Sequence, residues 1–271
     1  MNIKEINAKS IITKSNLPEA EYVINPYTGC SHGCIYCYAR FMKRFSGHDE
    51  DWGKFVDIKT NAIEVLPKNL SKYKGKSIIF GSVTDPYQPI EKKYKLTRKL
   101  LEKLVECQPS LEILTKSSLV TRDIDLIKKF KDALVSISFS TLDEDLRKRL
   151  DPGASPIKER ITALEKLHKE GIRTICFISP ILPEVTDWKS IIKNTKHCVG
   201  EYWFENLNFY GSIRENLFNF MKNPKLISKY KKIYSGESDY WDKVEENIRK
   251  FCRKEGIKYR IFFHHKSKAK K

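Results

Sequence analysis

The sequence predicts an α/β fold in which parallel strands form a sheet that is either open or curled into a partial barrel. Six short apolar runs recur along the chain, and segments with helical character lie between them. Alternation of this kind requires crossover connections, which are right-handed and place neighbouring strands parallel to one another. Binding residues are then expected at the carboxyl ends of the strands.

The predicted strands are short and rich in β-branched residues, which is typical of strands buried in a parallel sheet. They are YVINPY (22–27), SIIFGSV (77–83), LEILT (111–115), LVSISFS (134–140), IRTICFISP (172–180) and EYWFENLNF (201–209). Six such strands, each paired with a helix, make a (β/α)6 unit.

Helical patterns fill the segments between these strands. The clearest one begins near Ser155 and Pro156, has Glu159 in its first turn and ends at Gly171. The others are CIYCYARFMKRF after the first strand, LTRKLLEKLVEC (96–107), DIDLIKKFKD (123–132), DWKSIIKNTKHC (187–198) and DYWDKVEENIRKFCRKEG (239–256).

The chain divides by character into three parts. We expect an N-terminal extension over residues 1–20, the parallel-sheet unit over 21–211 and a C-terminal extension over 212–271 that is mainly helical and ends in a basic tail. No linker rich in Pro, Gly or Ser separates the last two parts, so the extension is expected to pack on the sheet unit.

Length and composition favour a folded cytoplasmic protein. A chain of 271 residues, of which 40% are hydrophobic, suffices for a large core. The first residues have no apolar run typical of a signal peptide, and no membrane-spanning segment is expected. The seven cysteines are an odd number without secretory context, so clustered cysteines are interpreted as metal ligands.

The charge favours a polyanionic partner. Lys and Arg number 51 against 34 Asp and Glu, which gives a net charge of +17, and nucleic acid is the commonest partner of such a protein. Aromatic residues also alternate with Lys and Arg in YKKIY (230–234) and KYRIFF (258–263), a pattern that suits phosphate and base contacts. The alternative that these lysines form solvated charged faces stays open.

Three cysteines lie close together in GCSHGCIYC, where Cys30, Cys34 and Cys37 have the spacing CxxxCxxC. The flanking glycines permit a tight loop that turns three thiols toward one bound group. Thiolates select zinc or iron–sulfur clusters. A structural zinc site needs a fourth ligand, and His32 is the only nearby candidate, at a spacing that no such site uses. Three thiolates instead leave one iron of a [4Fe-4S] cluster open to another ligand.

The motif CxxxCxxC, with Tyr36 before the third cysteine, resembles the signature of the radical S-adenosylmethionine (radical SAM) enzymes. The longer stretch NPYTGCSHGCIYCYAR resembles the spore photoproduct lyase-like branch, and the resemblance extends from about Tyr22 to Pro180. It implies a partial (β/α)6 barrel, a [4Fe-4S] cluster and S-adenosyl-L-methionine (SAM) bound at the open iron. It also implies a one-electron reductant such as a flavodoxin or ferredoxin, and a 5′-deoxyadenosyl radical.

The resemblance further implies contacts with SAM for individual residues. Thr84 and Asp85 in GSVTDPYQPIE match positions that hold the methionine amino group, and Lys116 matches the lysine that meets the carboxylate. Ser138 matches a serine directed at the cofactor, and Arg160 in RLDPGASPIKER is a candidate for the ribose. From the residues alone, a capping Asp85, a solvated Lys116 and an Arg160 that only begins a helix remain alternatives.

One position departs from the lyase branch, because Val83 stands where the lyase has a cysteine that donates a hydrogen atom. Asn206 and Asn208 share one face of the sixth strand and are candidates for substrate contact. We expect a radical SAM enzyme that acts on nucleic acid, by lesion repair or base modification. A radical SAM enzyme acting on a peptide, protein or small metabolite, and a non-catalytic iron–sulfur protein that binds nucleic acid, are the alternatives.

Overall fold

The computed structural model describes residues 1–17, 20–236 and 238–264 of the chain. Most of the predicted basic tail, residues 265–271, lies outside these described residues. Within them, no helix is both long enough and apolar enough to cross a membrane.

The strands in chain order are β1 (Asn2–Ile6), β2 (Ile12–Lys14), β3 (Tyr22–Ile24), β4 (Tyr27–Thr28), β5 (Phe55–Lys59), β6 (Ser77–Phe80), β7 (Ser110–Thr115), β8 (Ala133–Phe139), β9 (Arg173–Ile181), β10 (Glu201–Asn206) and β11 (Tyr259–Phe262). The helices are α1 (Glu91–Tyr94), α2 (Leu96–Leu104), α3 (Ile124–Ile127), α4 (Glu144–Leu150), α5 (Ile157–Lys169), α6 (Trp188–Thr195), α7 (Gly211–Met221), α8 (Pro224–Tyr234) and α9 (Tyr240–Lys254).

The main sheet has the strand order β11-β10-β9-β8-β7-β6-β3-β2. All neighbours in it are parallel except β2, which runs antiparallel to β3 at one edge. The six predicted strands are β3 and β6 to β10, and they follow one another across the sheet in chain order. The α/β fold class with a parallel sheet is therefore confirmed.

The C-terminal part adds a strand that the sequence analysis did not predict. Besides helices α7, α8 and α9 it contains β11, which pairs with β10 in parallel register from Tyr202 opposite Tyr259 to Glu205 opposite Phe262. This segment is short and contains Arg260, so its strand character depends on pairing with β10 rather than on its own pattern. The boundary near residue 212 stays a prediction.

Two helix predictions are wrong in detail. The segment after the third cysteine, Tyr38–Phe45, is a 3₁₀ helix, and it has neither a side-chain cap nor an acidic residue in its first turn to stabilise an α-helix. The helix expected over 123–132 is reduced to α3, because the carboxylate of Asp123 binds Arg98 and Arg122 instead of capping the helix.

The two faces of the main sheet have different surroundings. In β8, Val135, Ile137 and Phe139 point to the helices and belong to the main core, whereas Ser136 and Ser138 alternate with them on the other face. The face that carries these serines is the concave side, and its upper part lines a cavity. A second sheet, ordered β1-β5-β4, lies beside the cysteine loop.

Candidate active site

A cavity of about 280 Å³ lies at the carboxyl ends of the main-sheet strands. Cys30, Cys34 and Cys37 line one side of it, and most of the other lining residues come from the strands β6 to β11 and the segments that follow them. The chain thus places its clustered thiols where a parallel sheet concentrates binding residues.

The cysteine loop is tightly packed against its neighbours. Gly29 has φ +80°, and a side chain there would lie 2.5 Å from the carbonyl oxygen of Phe55 in β5. Cys30 and Cys34 are each 7% exposed, and burial raises the pKa of both thiols and of Cys37. Because thiolates are disfavoured here without a nearby positive charge, the loop suits a bound metal group that stabilises them.

The structure also bears on the kind of metal group. Among the described residues, no three His, Cys, Asp or Glu side chains converge as a single metal ion requires. Thiolates that each bind a different iron of a cluster need no such convergence. His32, between the cysteines, is 2% exposed and its buried Nε2 atom has no hydrogen-bond partner in the described chain. An orphaned polar atom beside three thiols fits a loop that encloses a bound group.

The turn after β6 clamps the cysteine loop. The Thr84 hydroxyl donates to the carbonyl of Gly29 at 2.5 Å, and the side-chain oxygen of Gln88 accepts from the amide of Ser31 at 2.8 Å. Thr84 is 7% exposed and lines the cavity. Its hydroxyl therefore holds the loop, and its predicted contact with the methionine amino group stays a prediction.

Asp85 joins three segments around the cavity. Its carboxylate accepts from the Thr115 hydroxyl and the Lys116 amide, each at 2.7 Å, and from the Tyr87 amide at 2.8 Å, and it lies 3.2 Å from Nδ1 of His32. Burial opposes its ionisation, but His32 and these donors outweigh burial and lower the pKa of Asp85. Protein donors thus surround the carboxylate, as the capping alternative describes, and the predicted contact of Asp85 with the methionine amino group stays a prediction.

Three further predicted residues lie close to the cysteines. The Lys116 ammonium donates to the carbonyl of Ser179 at 3.2 Å and lies 5.7 Å from the centre of the Tyr36 ring. Tyr36 is 6% exposed, and its hydroxyl lies 3.3 Å from that of Ser140. Ser138 lines the cavity from β8. The structure thus gathers Tyr36, Thr84, Asp85, Lys116 and Ser138 around one space.

Arg160 is not brought into this group. Its side chain is 1% exposed on the inner face of α5, where it donates to the carbonyl of Ser138 at 2.8 Å and lies 3.4 Å from Asp151. It does not line the cavity, because α5 packs on the helical side of the sheet. A direct contact with the ribose is therefore not supported, and the hydrogen bond of Arg160 to the site runs through the backbone of β8.

Glu205 and His264 also line the cavity, although the sequence analysis did not select them. The Glu205 carboxylate accepts from the Ser179 hydroxyl at 2.5 Å and from Nε2 of His264 at 3.1 Å. The hydrogen bond to Glu205 raises the pKa of His264, with burial opposing it. Asn206 and Asn208 both line the cavity nearby, and the side-chain oxygen of the buried Asn206 accepts from the His264 amide at 2.8 Å. The available signal for Glu205 was its position two residues after Trp203, which places a charged side chain on the same face of the strand as that ring.

The aromatic residues of YKKIY do not form the expected surface. Tyr230 is 1% exposed and donates to the carbonyl of Pro183, while Tyr234 stacks on Phe209 with ring centres 4.5 Å apart. In KYRIFF, Phe262 instead lines the cavity. The interpretation of the tyrosines as base-stacking residues is therefore wrong, because α8 turns these rings into the protein interior.

A sequence model of the radical SAM superfamily matches residues 24–193, which contain the cysteine loop and the ends of β6 to β9. The chain belongs to the radical SAM superfamily. Members use a [4Fe-4S] cluster and SAM, so this chain is an enzyme with those two cofactors. The buried thiols and the orphaned His32 atom fit the cluster.

Related proteins occur in archaea, bacteria and a phage. An uncharacterized protein of Methanocaldococcus jannaschii is 42% identical over 78% of this chain and 80% of its own. A Mycobacterium bovis protein is 28% identical over 85% of this chain and 73% of its own. A Pseudomonas phage M6 protein named radical SAM Nalpha-GlyT isomerase is 29% identical over 59% of this chain and 33% of its own.

Two solved structures show the same fold. Spore photoproduct lyase in complex with a dinucleoside spore photoproduct has a TM-score of 0.72 at 14% identity, over 96% of this chain and 82% of that one. Streptococcus suis SuiB bound to SAM has a TM-score of 0.54 at 15% identity, over 89% of this chain and 49% of that one.

The segment LDPG supports the cysteine loop and gives a test of that support. The Gly153 amide donates to the carbonyl of His32 at 3.0 Å, and an added side chain would lie 2.1 Å from the carbonyl oxygen of Ser31. We expect Gly153→Ala to lower the free energy of unfolding by about 1–3 kcal/mol, because the backbone must shift. Denaturant unfolding of the apoprotein measures this.

Gly200→Ala is the matched control. Its added methyl group meets only the carbonyl oxygen of Thr174, at 3.7 Å, which is an ordinary contact. We expect a change within about 0.5 kcal/mol. Equal losses in the two variants would contradict close packing of Gly153 against the loop.

Proposed function

We propose that this radical SAM enzyme acts on nucleic acid, either by repairing a lesion or by modifying a base. The observation that carries the proposal is the net charge of +17 on a chain with this fold. Two similar proteins support it further: a solved structure has spore photoproduct lyase in complex with a dinucleoside spore photoproduct, and a phage relative is named radical SAM Nalpha-GlyT isomerase. A cytoplasmic location and an external donor such as a flavodoxin or ferredoxin belong to the same proposal.

The cysteine loop would hold the iron–sulfur cluster that this reaction needs. Cys30, Cys34 and Cys37, as thiolates, would hold three irons of the cluster, and His32 between them is fixed by Asp85. When bound and reduced by one electron, the cluster and SAM supply a 5′-deoxyadenosyl radical. The loop's burial excludes water from this chemistry.

Residues at the strand ends would orient SAM. Lys116 is a compact positive charge suited to the methionine carboxylate, and its carbonyl contact at Ser179 holds it at the cavity edge. Ser138 offers a hydroxyl from β8, while Thr84 and Asp85 keep the loop at a fixed distance from these groups. Tyr36 places an aromatic face beside Lys116.

The end of β6 has no cysteine that could act as the hydrogen-atom donor, because Val83 stands at that position. Val83 lines the cavity there and packs in the cluster of side chains that contains Cys30 and Trp52. Within the described chain, the cysteines that line the cavity are those of the loop. The proposed reaction therefore does not take hydrogen from a separate cavity thiol.

The proposal predicts salt-sensitive binding of nucleic acid that is coupled to SAM cleavage. Anaerobically reconstituted enzyme, given SAM and a strong reductant, should release 5′-deoxyadenosine. Its affinity for a single-stranded oligonucleotide should fall by about tenfold or more between about 50 and 200 mM salt, because counterions are released from the phosphates. Chromatography and fluorescence anisotropy measure the two quantities.

An oligonucleotide with an uncharged methylphosphonate backbone is the matched control, and its affinity should depend little on salt. Formation of 5′-deoxyadenosine without any salt-dependent binding would reject nucleic acid as the substrate class while keeping the radical chemistry. In that case a peptide, protein or small metabolite becomes the substrate to test.

A further inference from the structure

Helix α8 contains four lysines and no acidic residue. These lysines are Lys225, Lys229, Lys231 and Lys232, and all four are exposed. Lys229 pairs with Glu184 at 2.9 Å, whereas the other three form no ion pair with any described residue. The outer side of α8 therefore presents positive charge that the described chain does not neutralise.

Helix α9 is also basic, but its lysines are paired. Lys243 lies 2.9 Å from Asp239 and Lys250 lies 2.6 Å from Glu246, in each case a carboxylate four residues earlier in the chain. Such pairs are the ordinary arrangement of a charged helix face in water. Because α8 has no such pairs within the helix, a solvated charged face explains the lysines of α9 better than those of α8.

The packing of α8 directs its lysines outward. Tyr230 and Ile233 are 1% and 6% exposed and form the inner side of the helix. Lys225 and Lys232 lie on the exposed side, seven residues and therefore about 10 Å apart along the helix axis. That length spans about three successive phosphates of a nucleic acid strand. The lysines thus form an exposed cationic row that matches a phosphate backbone in charge and in length.

The position of α8 relates this row to the active site. The Tyr230 hydroxyl donates to the carbonyl of Pro183, which follows β9, and the Tyr234 hydroxyl donates to that of Leu207, which follows β10, each at 3.0 Å. Tyr230 also belongs to the same buried cluster of side chains as Cys34. The helix is therefore anchored at the carboxyl ends of the strands, where the cavity lies, and a strand bound along its lysines would pass beside that cavity.

We propose that the exposed lysines of α8 form a docking surface for the phosphate backbone of a nucleic acid strand. This inference rests on the proposed action on nucleic acid and names the surface that holds this partner. Lys225, Lys231 and Lys232 make the main contribution, because a lysine without a paired carboxylate can neutralise a phosphate. The surface positions the strand and does not read its sequence, since phosphate contacts carry no base information.

The test measures how salt affects binding of a single-stranded oligonucleotide to the reconstituted holoenzyme, by fluorescence anisotropy. In the combined Lys225→Gln, Lys231→Gln and Lys232→Gln variant, the plot of log association constant against log salt concentration should be about 2 units less steep than for the wild type. Each lost phosphate contact removes about 0.7 of this slope. Replacing the same three lysines by arginine should keep the wild-type slope, because the charge is retained.

The combined Lys128→Gln, Lys243→Gln and Lys250→Gln variant is the control, since it lowers the net charge by the same amount. These exposed lysines each pair with a carboxylate, at 2.7, 2.9 and 2.6 Å. This variant should keep the wild-type slope. The same slope in the α8 glutamine variant as in the wild type, or equal flattening in both glutamine variants, would overturn the docking surface.

The same measurements separate this inference from the proposed function. Salt-dependent binding by the wild type keeps the proposed function whatever the α8 variant does, whereas its absence would reject both proposals. If the α8 glutamine variant kept the wild-type slope but was reduced more slowly by an acidic flavodoxin, the lysines would belong to a protein-docking surface, and the inference would be wrong.

Discussion

Replacing Cys34 by alanine is expected to abolish both the iron–sulfur absorbance of the reconstituted protein and the release of 5′-deoxyadenosine. Cys34 is 7% exposed and lines the cavity together with Cys30 and Cys37. With two thiolates left, a second iron loses its protein ligand in a pocket that has no other thiol among its described lining residues. Iron and sulfide analysis, visible absorbance and chromatography of the nucleoside measure the effect.

Cys176→Ala is the matched control for this prediction. Cys176 is 0% exposed and lies in the main core on β9, and burial raises its pKa to about 12. Its truncation should cost about 1–2 kcal/mol of stability through the small cavity left behind, with iron content and 5′-deoxyadenosine release retained. Equal loss of absorbance in both variants would mean that cluster binding follows overall stability rather than ligation by the loop.

The strands were predictable because a strand buried on both faces is a short run of mostly apolar residues, which can be recognised in the sequence alone. The segment LVSISFS contains both faces of β8, and its alternation places Ser138 on the concave side without knowledge of any partner strand. The cysteine spacing is equally local, since three thiols within one loop must share surroundings. Both predictions needed only neighbours in the chain.

Residues whose position depends on distant segments were not predictable in this way. Glu205 faces the cavity because β10 lies between β9 and β11, and the pairing with β11 brings His264 to its carboxylate from 59 residues away. Arg160 lies seven positions beyond the loop-like LDPG segment, yet the packing of α5 turns it to the helical side of the sheet. A local sequence pattern does not determine which side of the sheet a helix packs against, or which helix residues face that sheet.

Asp85 matches a family position for SAM binding and also accepts three hydrogen bonds from the protein, so its main task can be tested. We expect Asp85→Ala to lower the free energy of unfolding of the apoprotein by about 3–5 kcal/mol. The Thr115 hydroxyl and the amides of Tyr87 and Lys116 would lose their acceptor in a site where Asp85 is 8% exposed. Denaturant unfolding measures the loss, and iron uptake by the variant should fall because His32 is no longer fixed beside the thiols.

The exposed carboxylate of Asp125 provides the comparison. It pairs with Arg98 at 2.8 Å and its side chain is 56% exposed, so Asp125→Ala should cost less than about 1 kcal/mol. If Asp85 acted mainly on the methionine amino group, Asp85→Ala apoprotein would unfold like the wild type and only its affinity for SAM would fall. A large loss of apoprotein stability therefore assigns Asp85 to the clamp on the cysteine loop, and an unchanged stability assigns it to the cofactor.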